Sequence, residues 1–389
     1  MKAAMKLEGV KVVELSQFLP GPHLTMMMAD HGAEIIKVEP PTGEPARELG
    51  LSQGGQTVWF RNTHRGKQSL KLNLKDARGR EALLKVCETA DVFIESFRPG
   101  VADRLGIGYA AVSARAPHII YASLSAFGQT GTYRDKPAHD IAMQAMAGVL
   151  NFNRGADGQP ANPMLPGADM AGSLMALSGI LMALVRQRQT GKGDYLDISM
   201  HDCLLAWTPN VQGPVLAEQR DHTVQHERNW GGAAFYNIYA TGDAKHMVLG
   251  GVEHKFCENF LNKAGRADLI PLIHQAPGPV QDPVKAFLRA WFGARTQAEA
   301  LAWLADIDVC YAPLRTLKES MQDANTTARG MLLHDEAGNA HLGVPVKFRH
   351  EPAQPVLRAP ELGEHSRAVL ARAGLNAAEI DELARANVI

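Results

Sequence analysis

A chain of 389 residues is long enough for about two domains at roughly 150 residues each, and its 46% hydrophobic and 21% charged residues are those of a soluble globular protein. Forty basic residues against 41 acidic ones leave a formal net charge of −1, which excludes a global pull towards nucleic acid and confines any anion site to a local patch. Cys87, Cys203, Cys257 and Cys310 stand far apart with no CxxC or Cys/His cluster, which predicts reduced thiols in a cytoplasmic protein and no zinc centre.

The N-terminal MKAAMKLEGVKVVEL has no long apolar stretch after its lysines, so no signal peptide is predicted. Strands are then expected at 10–15 (VKVVEL), 34–39 (EIIKVE), 91–97 (DVFIESF) and 119–125 (IIYASLS), with helices at 23–31, 76–89, 139–150 and 170–188. Short apolar runs interleaved with amphipathic stretches indicate βαβ units, hence an open α/β sheet with helices on both faces. The apolar run 170–185 is shorter than the ~20 residues a bilayer requires, and it reads as a buried core helix. It stops at Thr190-Gly191-Lys192-Gly193, a glycine C-cap, and DYLDISM follows as another strand. The polar segment 206–235 reads as a linker. Beyond it, a strand at 246–251 and helices at 254–264, 281–293 and 296–305 predict a smaller α+β domain over 236–330. The last segment, 331–389, offers short strands in MLLHDE and VPVKF and helices at 361–373 and 376–386.

Nucleotide fingerprints are missing. GIGYAA at 106–111 does not follow a strand, no glycine-rich turn links the first strand to its helix, and neither a P-loop nor a GxSxG elbow occurs. An α/β enzyme of this kind must work with side chains, and two ionisable groups stand out. Asp169 sits at the start of the long apolar helix, where free backbone N–H groups and the helix dipole favour a carboxylate. His139, thirty positions earlier in KPAHDIAMQAMAG, is suited to proton exchange near neutral pH. Spacing alone leaves two readings of each: an acid–base pair, or a helix N-cap and an inert histidine. Asp140 is read as a cap for the helix that follows or as a group orienting the imidazole. His222 and His226 have helical metal-ligand spacing but no third partner in sequence, and read as surface histidines.

VVELSQFLPGPHLTMMMADHGAEIIKVEPP, VFIESFRPGVADRLG, the Asp169 helix with TGKGDYLDISM, and LGEHSRAVLARAGL together resemble the family III CoA-transferase superfamily, over nearly the whole chain. The resemblance implies a large Rossmann-like α/β domain built from 1–205 and 331–389, the smaller domain inserted in it, and two subunits interlocked as a homodimer. It implies acyl-CoA as the substrate, no cofactor beyond that CoA, and neither nucleic acid nor membrane as a partner.

Two chemistries are implied for Asp169, which matches the family's catalytic aspartate. In the transferases it is a nucleophile, passing CoA to a second carboxylate through a mixed anhydride and an aspartyl-CoA thioester. In the racemases it works with a histidine on the α-proton of a 2-methylacyl-CoA, through an enolate. His139 stands at the racemase histidine, Glu253 in GGVEHKF matches a glutamate placed near that histidine, and GGAAFYNIY resembles a racemase segment. Ala142-Met143 departs from the racemase pattern, and Gln144-Ala145 looks more like the transferases. A racemase is therefore the first reading, a CoA-transferase the second, and a silent acyl-CoA-binding homologue the third. For CoA, the resemblance implies contacts from Arg104, Lys136 and Lys67, with Phe97 and Arg98 around the FRPG turn. Backbone N–H groups near 170–172 are expected to hold the enolate oxygen, and Met143, Met146 and Met164 to line an adaptable acyl pocket.

Overall fold

The computed structural model describes residues 5–155 and 157–389, so the first four residues of the MKAAMKLEGVKVVEL segment lie outside the described residues. The described chain divides into two compact units. The first takes the chain up to Leu150, Asn162–Trp207 and Ala324–Ile389; the second takes Asn151–Ala161 and Thr208–Asp323. The segment expected as a linker, 206–235, thus belongs almost wholly to the second unit. So does 151–161, whose Phe152 stacks on Trp230 with ring centroids 4.4 Å apart.

In the first unit, six parallel strands form one sheet: β1 (Lys11–Glu14), β2 (Glu34–Glu39), β3 (Gln68–Lys71), β4 (Val92–Glu95), β5 (Ile120–Ser125) and β6 (Asp194–Ser199). Their spatial order is β3-β2-β1-β4-β5-β6, the doubly wound order, here without the glycine turn of dinucleotide binders. Alternate residues enter opposite layers. Val12, Ile35, Val92, Ile94, Ala122 and Leu124 meet Leu24 and Met28 of α1 (Pro20–Asp30) on one face. Val13, Ile36, Phe93 and Tyr121 meet Leu83 and Val86 and the C-terminal Val369, Leu370, Ile380 and Leu383 on the other. Both faces are covered, which is why these strands read as continuous apolar runs.

Two further helices frame the site, α2 (Asp140–Met146) and α3 (Gly167–Thr190). α3 begins three residues earlier than expected and ends on the αL Gly191. Its 24 residues are long and apolar enough to cross a membrane by length and composition, since the helix runs beyond the apolar stretch 170–185 at both ends. Only one face is core: Ala171, Gly172, Ala176, Ile180 and Leu184 are buried, whereas Met182 is 69% and Val185 63% exposed. Gly172 has to be small, since a Cβ there would lie 2.5 Å from Met200 Cγ. VPVKF forms no strand; Leu332–His334 pairs instead with Ala340–Leu342.

The second unit carries an antiparallel sheet of β7 (Tyr236–Ala240), β8 (His246–Gly250) and β9 (Tyr311–Pro313), in the order β9-β8-β7. Its core joins Tyr239 and Leu249 to Phe260 of α4 (His254–Lys263) and to Trp291 and Phe292. This is an α+β arrangement.

Candidate active site

Parallel sheets bind ligands beyond their strand C-termini, where the order reverses. In this sheet that point lies between β1 and β4. A cavity of about 710 Å3 opens there within the first unit, in the size range of small-ligand sites. Gln17 and Phe18 line it after β1, Ser96, Phe97 and Arg98 after β4, and Ser125 and Ala126 at the end of β5; Lys136, His139, Met143, Asp169 and Met200 complete its chemistry. His139 and Asp169, thirty residues apart in sequence, open into one space.

Asp169 is the third residue of α3 and half-buried, not the N-cap, which is Pro166. A first-turn carboxylate usually collects backbone N–H groups, but here Asp140 takes them. Its Oδ1 accepts from Ala168 N–H at 2.7 Å and Asp169 N–H at 3.1 Å, while its Oδ2 accepts from Gln144 Nε2 at 2.6 Å. Asp140 therefore caps α3, a different helix from the one it starts. Burial, with the Asp140 charge adding to it, pushes the Asp169 carboxyl up to about 7. The helix start therefore does not hold the Asp169 carboxyl in the ordinary carboxylate range. Met170 N–H donates to Pro166 O at 3.0 Å inside the helix, so amides 170–172 are not a ready enolate cradle.

His139 stands at the N-cap of α2, exposed, its ring edge-on to Phe18 with centroids 6.2 Å apart. Among the described residues its ring nitrogens have no hydrogen-bond partner, so the imidazole is not consumed by capping. Phe18 is held in the left-handed region (φ 64°) by a buried charge network. Glu44 Oε1 accepts its N–H at 2.8 Å, Glu44 Oε2 pairs with Lys37 at 3.0 Å, and Lys37 donates to Ser16 O. Burial opposes the Lys37 ammonium, but Glu14 and Glu44 outweigh it and raise its pKa.

That network also corrects the assignment of Lys67. Its Nζ, with a fully buried side chain, pairs with Glu14 at 2.9 Å and donates to Pro22 O at 3.0 Å, so it cannot reach a CoA phosphate. Burial lowers its pKa to about 8 despite Glu14. Lys67→Met is expected to cost about 3 kcal/mol or more, because it strands part of a buried carboxylate's charge. Denaturant midpoints would read that loss, with the KM for acyl-CoA unchanged in the folded protein.

The other basic residues lie where an anion is accessible. Lys136 and Arg98 are exposed and line the cavity, and Phe97 lines it with its N–H donated to Glu95 Oε2 at 2.7 Å. Arg104 is exposed beside Gly100, which the sequence reading did not connect to a second guanidinium. A Cβ on Gly100 (φ 77°) would lie 3.2 Å from Arg104 Nη1 and 3.6 Å from Arg134 Nη2, so two arginines converge over that turn. Arg134, a cavity residue missed in the sequence, carries no motif of its own; only the fold brings it there. Of the methionines, Met143 is buried against the cavity, whereas Met164 is 80% exposed and neither it nor Met146 lines it. Glu253 belongs to the second unit, where it is exposed at the N-cap of α4. His222 is no free surface imidazole; its Nδ1 meets Glu227 Oε1 at 2.9 Å.

The comparisons with known proteins agree with this geometry. The model of CoA-transferase family III matches residues 7–366. The chain is 32% identical to the human alpha-methylacyl-CoA racemase, over 97% of this chain and 96% of that one. It is 31% identical to the acetyl-CoA:oxalate CoA-transferase of Acetobacter aceti, over 93% and 94%. A CAIB/BAIF family protein from Brucella suis superimposes with a TM-score of 0.81 at 28% identity, covering 95% of this chain and all of that one. With a matched span of this length and both the doubly wound sheet and its carboxylate-bearing cavity in place, the chain belongs to CoA-transferase family III.

Proposed function

We propose that the protein is a 2-methylacyl-CoA racemase, inverting the α-carbon by 1,1-proton transfer between His139 and Asp169 through an enolate. The observation carrying this reading is that the two side chains open into one cavity while Asp169 is pushed up to about 7. A carboxyl group near neutrality serves as either acid or base, so each direction of inversion finds one proton acceptor and one donor. A nucleophilic carboxylate would instead be favoured by a low pKa.

The acyl-CoA thioester enters the cavity with its α-carbon between the two groups and its phosphates towards Arg98, Lys136 and the Arg104–Arg134 pair. Arg104→Ala is expected to raise the KM for acyl-CoA about tenfold, the loss of one charge-assisted contact, and to leave kcat nearly unchanged. Steady-state kinetics at two salt concentrations would check it.

Similar identity to a CoA-transferase supports a second reading, with Asp169 as nucleophile. A single epimer of a 2-methylacyl-CoA, incubated without any other substrate and resolved by chiral chromatography, separates the two. Racemisation alone supports the first. Turnover only with an added carboxylate, and hydroxylamine capture of an Asp169 acyl intermediate, would support the second. Binding without turnover in either arm would leave an acyl-CoA-binding homologue. An interlocked homodimer is also proposed, supported by the exposed apolar side chains Met175, Leu181, Met182 and Val185 on α3, which a second subunit would cover.

A further inference from the structure

The second unit holds a cluster that neither racemisation nor CoA transfer uses. His254 opens α4 and Glu258 follows four residues later, so both project from one helical face. His274, the C-cap of the short Ile270–Ile273 helix, comes across to meet them. Its Nε2 lies 2.8 Å from Glu258 Oε1, and its ring stacks on His254 with centroids 4.1 Å apart and planes inclined by 24°. One ligand atom from each of the three falls within 4.8 Å of the others.

We propose that His254, Glu258 and His274 bind a zinc-class divalent cation. Two imidazoles and one carboxylate are a donor set that such ions accept, with solvent completing the shell. A tetrahedral ion with bonds near 2.1 Å spaces its ligand atoms by about 3.4 Å, so the cluster needs only small side-chain rotations to close on one. Space for the ion and its water exists beside it, since His254 and His274 both line a cavity of about 180 Å3.

Alternative explanations for the cluster are weaker. Both histidines are exposed, so the stack of two imidazoles is not forced by core packing. Cys257, also on the cavity wall, is no fourth ligand, because it is buried and its Sγ is directed to Gly251 O at 3.7 Å. Among the described residues, Arg228 is the one lysine or arginine on that wall, and its Nε donates to Asn229 Oδ1 at 3.1 Å. Binding would clip the first turn of α4 to the chain following it, with no step of the proposed reaction involved.

The test uses the full-length, untagged protein after chelator treatment, titrated with zinc chloride by calorimetry and by thermal melting. One zinc ion per chain is expected, with a melting temperature that climbs with zinc and saturates. His254→Ala and His274→Ala should each weaken binding at least tenfold while leaving the metal-free melting temperature in place. Glu258→Gln keeps the size and hydrogen-bonding capacity of the side chain and removes only its charge, so it decides the matter if the alanine variants fold poorly. No saturable uptake, or uptake as tight in Glu258→Gln and His274→Ala as in the parent, would overturn the proposal.

Discussion

Replacing Asp169 by asparagine is expected to lower inversion of the α-carbon by roughly a thousandfold, the usual cost of removing a positioned acid–base group, and at the same time to make the protein more stable. The second effect follows from the sign of the pKa shift. The carboxyl titrates near 7 in the folded chain against an ordinary value of 3.8. Between those values the folded protein keeps a proton that the unfolded chain has released, so this site's contribution to stability falls as pH rises through the window and stays low above 7. An asparagine carries no such penalty. Asp169→Asn should therefore be more stable than the parent at pH 8, by up to about 4 kcal/mol, with the gain vanishing near pH 4. Thermal melts of both proteins across that range would read it. Equal melting temperatures at pH 8 would remove the raised pKa from the account.

Asp140 gives the other large effect, in two separable parts. It supplies the charge that adds to the upward shift of Asp169 and the oxygen that caps α3. Asp140→Asn keeps an acceptor for the Ala168 and Asp169 amides and removes the charge, so the Asp169 pKa falls. The acidic limb of the pH–rate profile should move to lower pH, with only a modest stability loss from the asparagine Nδ2 facing Gln144 Nε2. Asp140→Ala removes the cap as well and is expected to cost a further 1–2 kcal/mol, roughly the value of a lost N-cap oxygen. It should also loosen Gln144, whose Nε2 bridges Asp140 Oδ2 and Leu165 O at 3.2 Å. A pH–rate profile unmoved in Asp140→Asn would mean that some other group sets the acidic limb.

The four inner strands of the central sheet were legible because each is a short apolar run buried on both faces, and EIIKVE at 34–39 matches its observed bounds. The edge strand Gln68–Lys71 was not, since QSLK has only two buried central residues to signal it. His139 and Asp169 were legible as residue types near helix starts and through the resemblance. Their common cavity depends on where the crossovers return, which no local pattern encodes. Lys67 was read as a phosphate ligand through the resemblance alone; its burial is set by Glu14, 53 positions away. Asp140 capping a helix that starts 27 positions later is equally non-local, as is the pairing of Arg104 with Arg134 over Gly100. The apolar run in α3 reads as a buried core helix, because composition does not show which face a helix turns outward.

Solvent-hydrogen wash-in is the most direct measurement. Each epimer of a 2-methylacyl-CoA, incubated separately with the protein in heavy water and no second substrate, should acquire one deuterium at the α-carbon as it inverts. His139→Ala should confine that exchange to the epimer whose proton faces Asp169, and abolish inversion. No deuterium at the α-carbon with either epimer, in a preparation shown to bind acyl-CoA, would contradict the two-group proton transfer on which the reading stands.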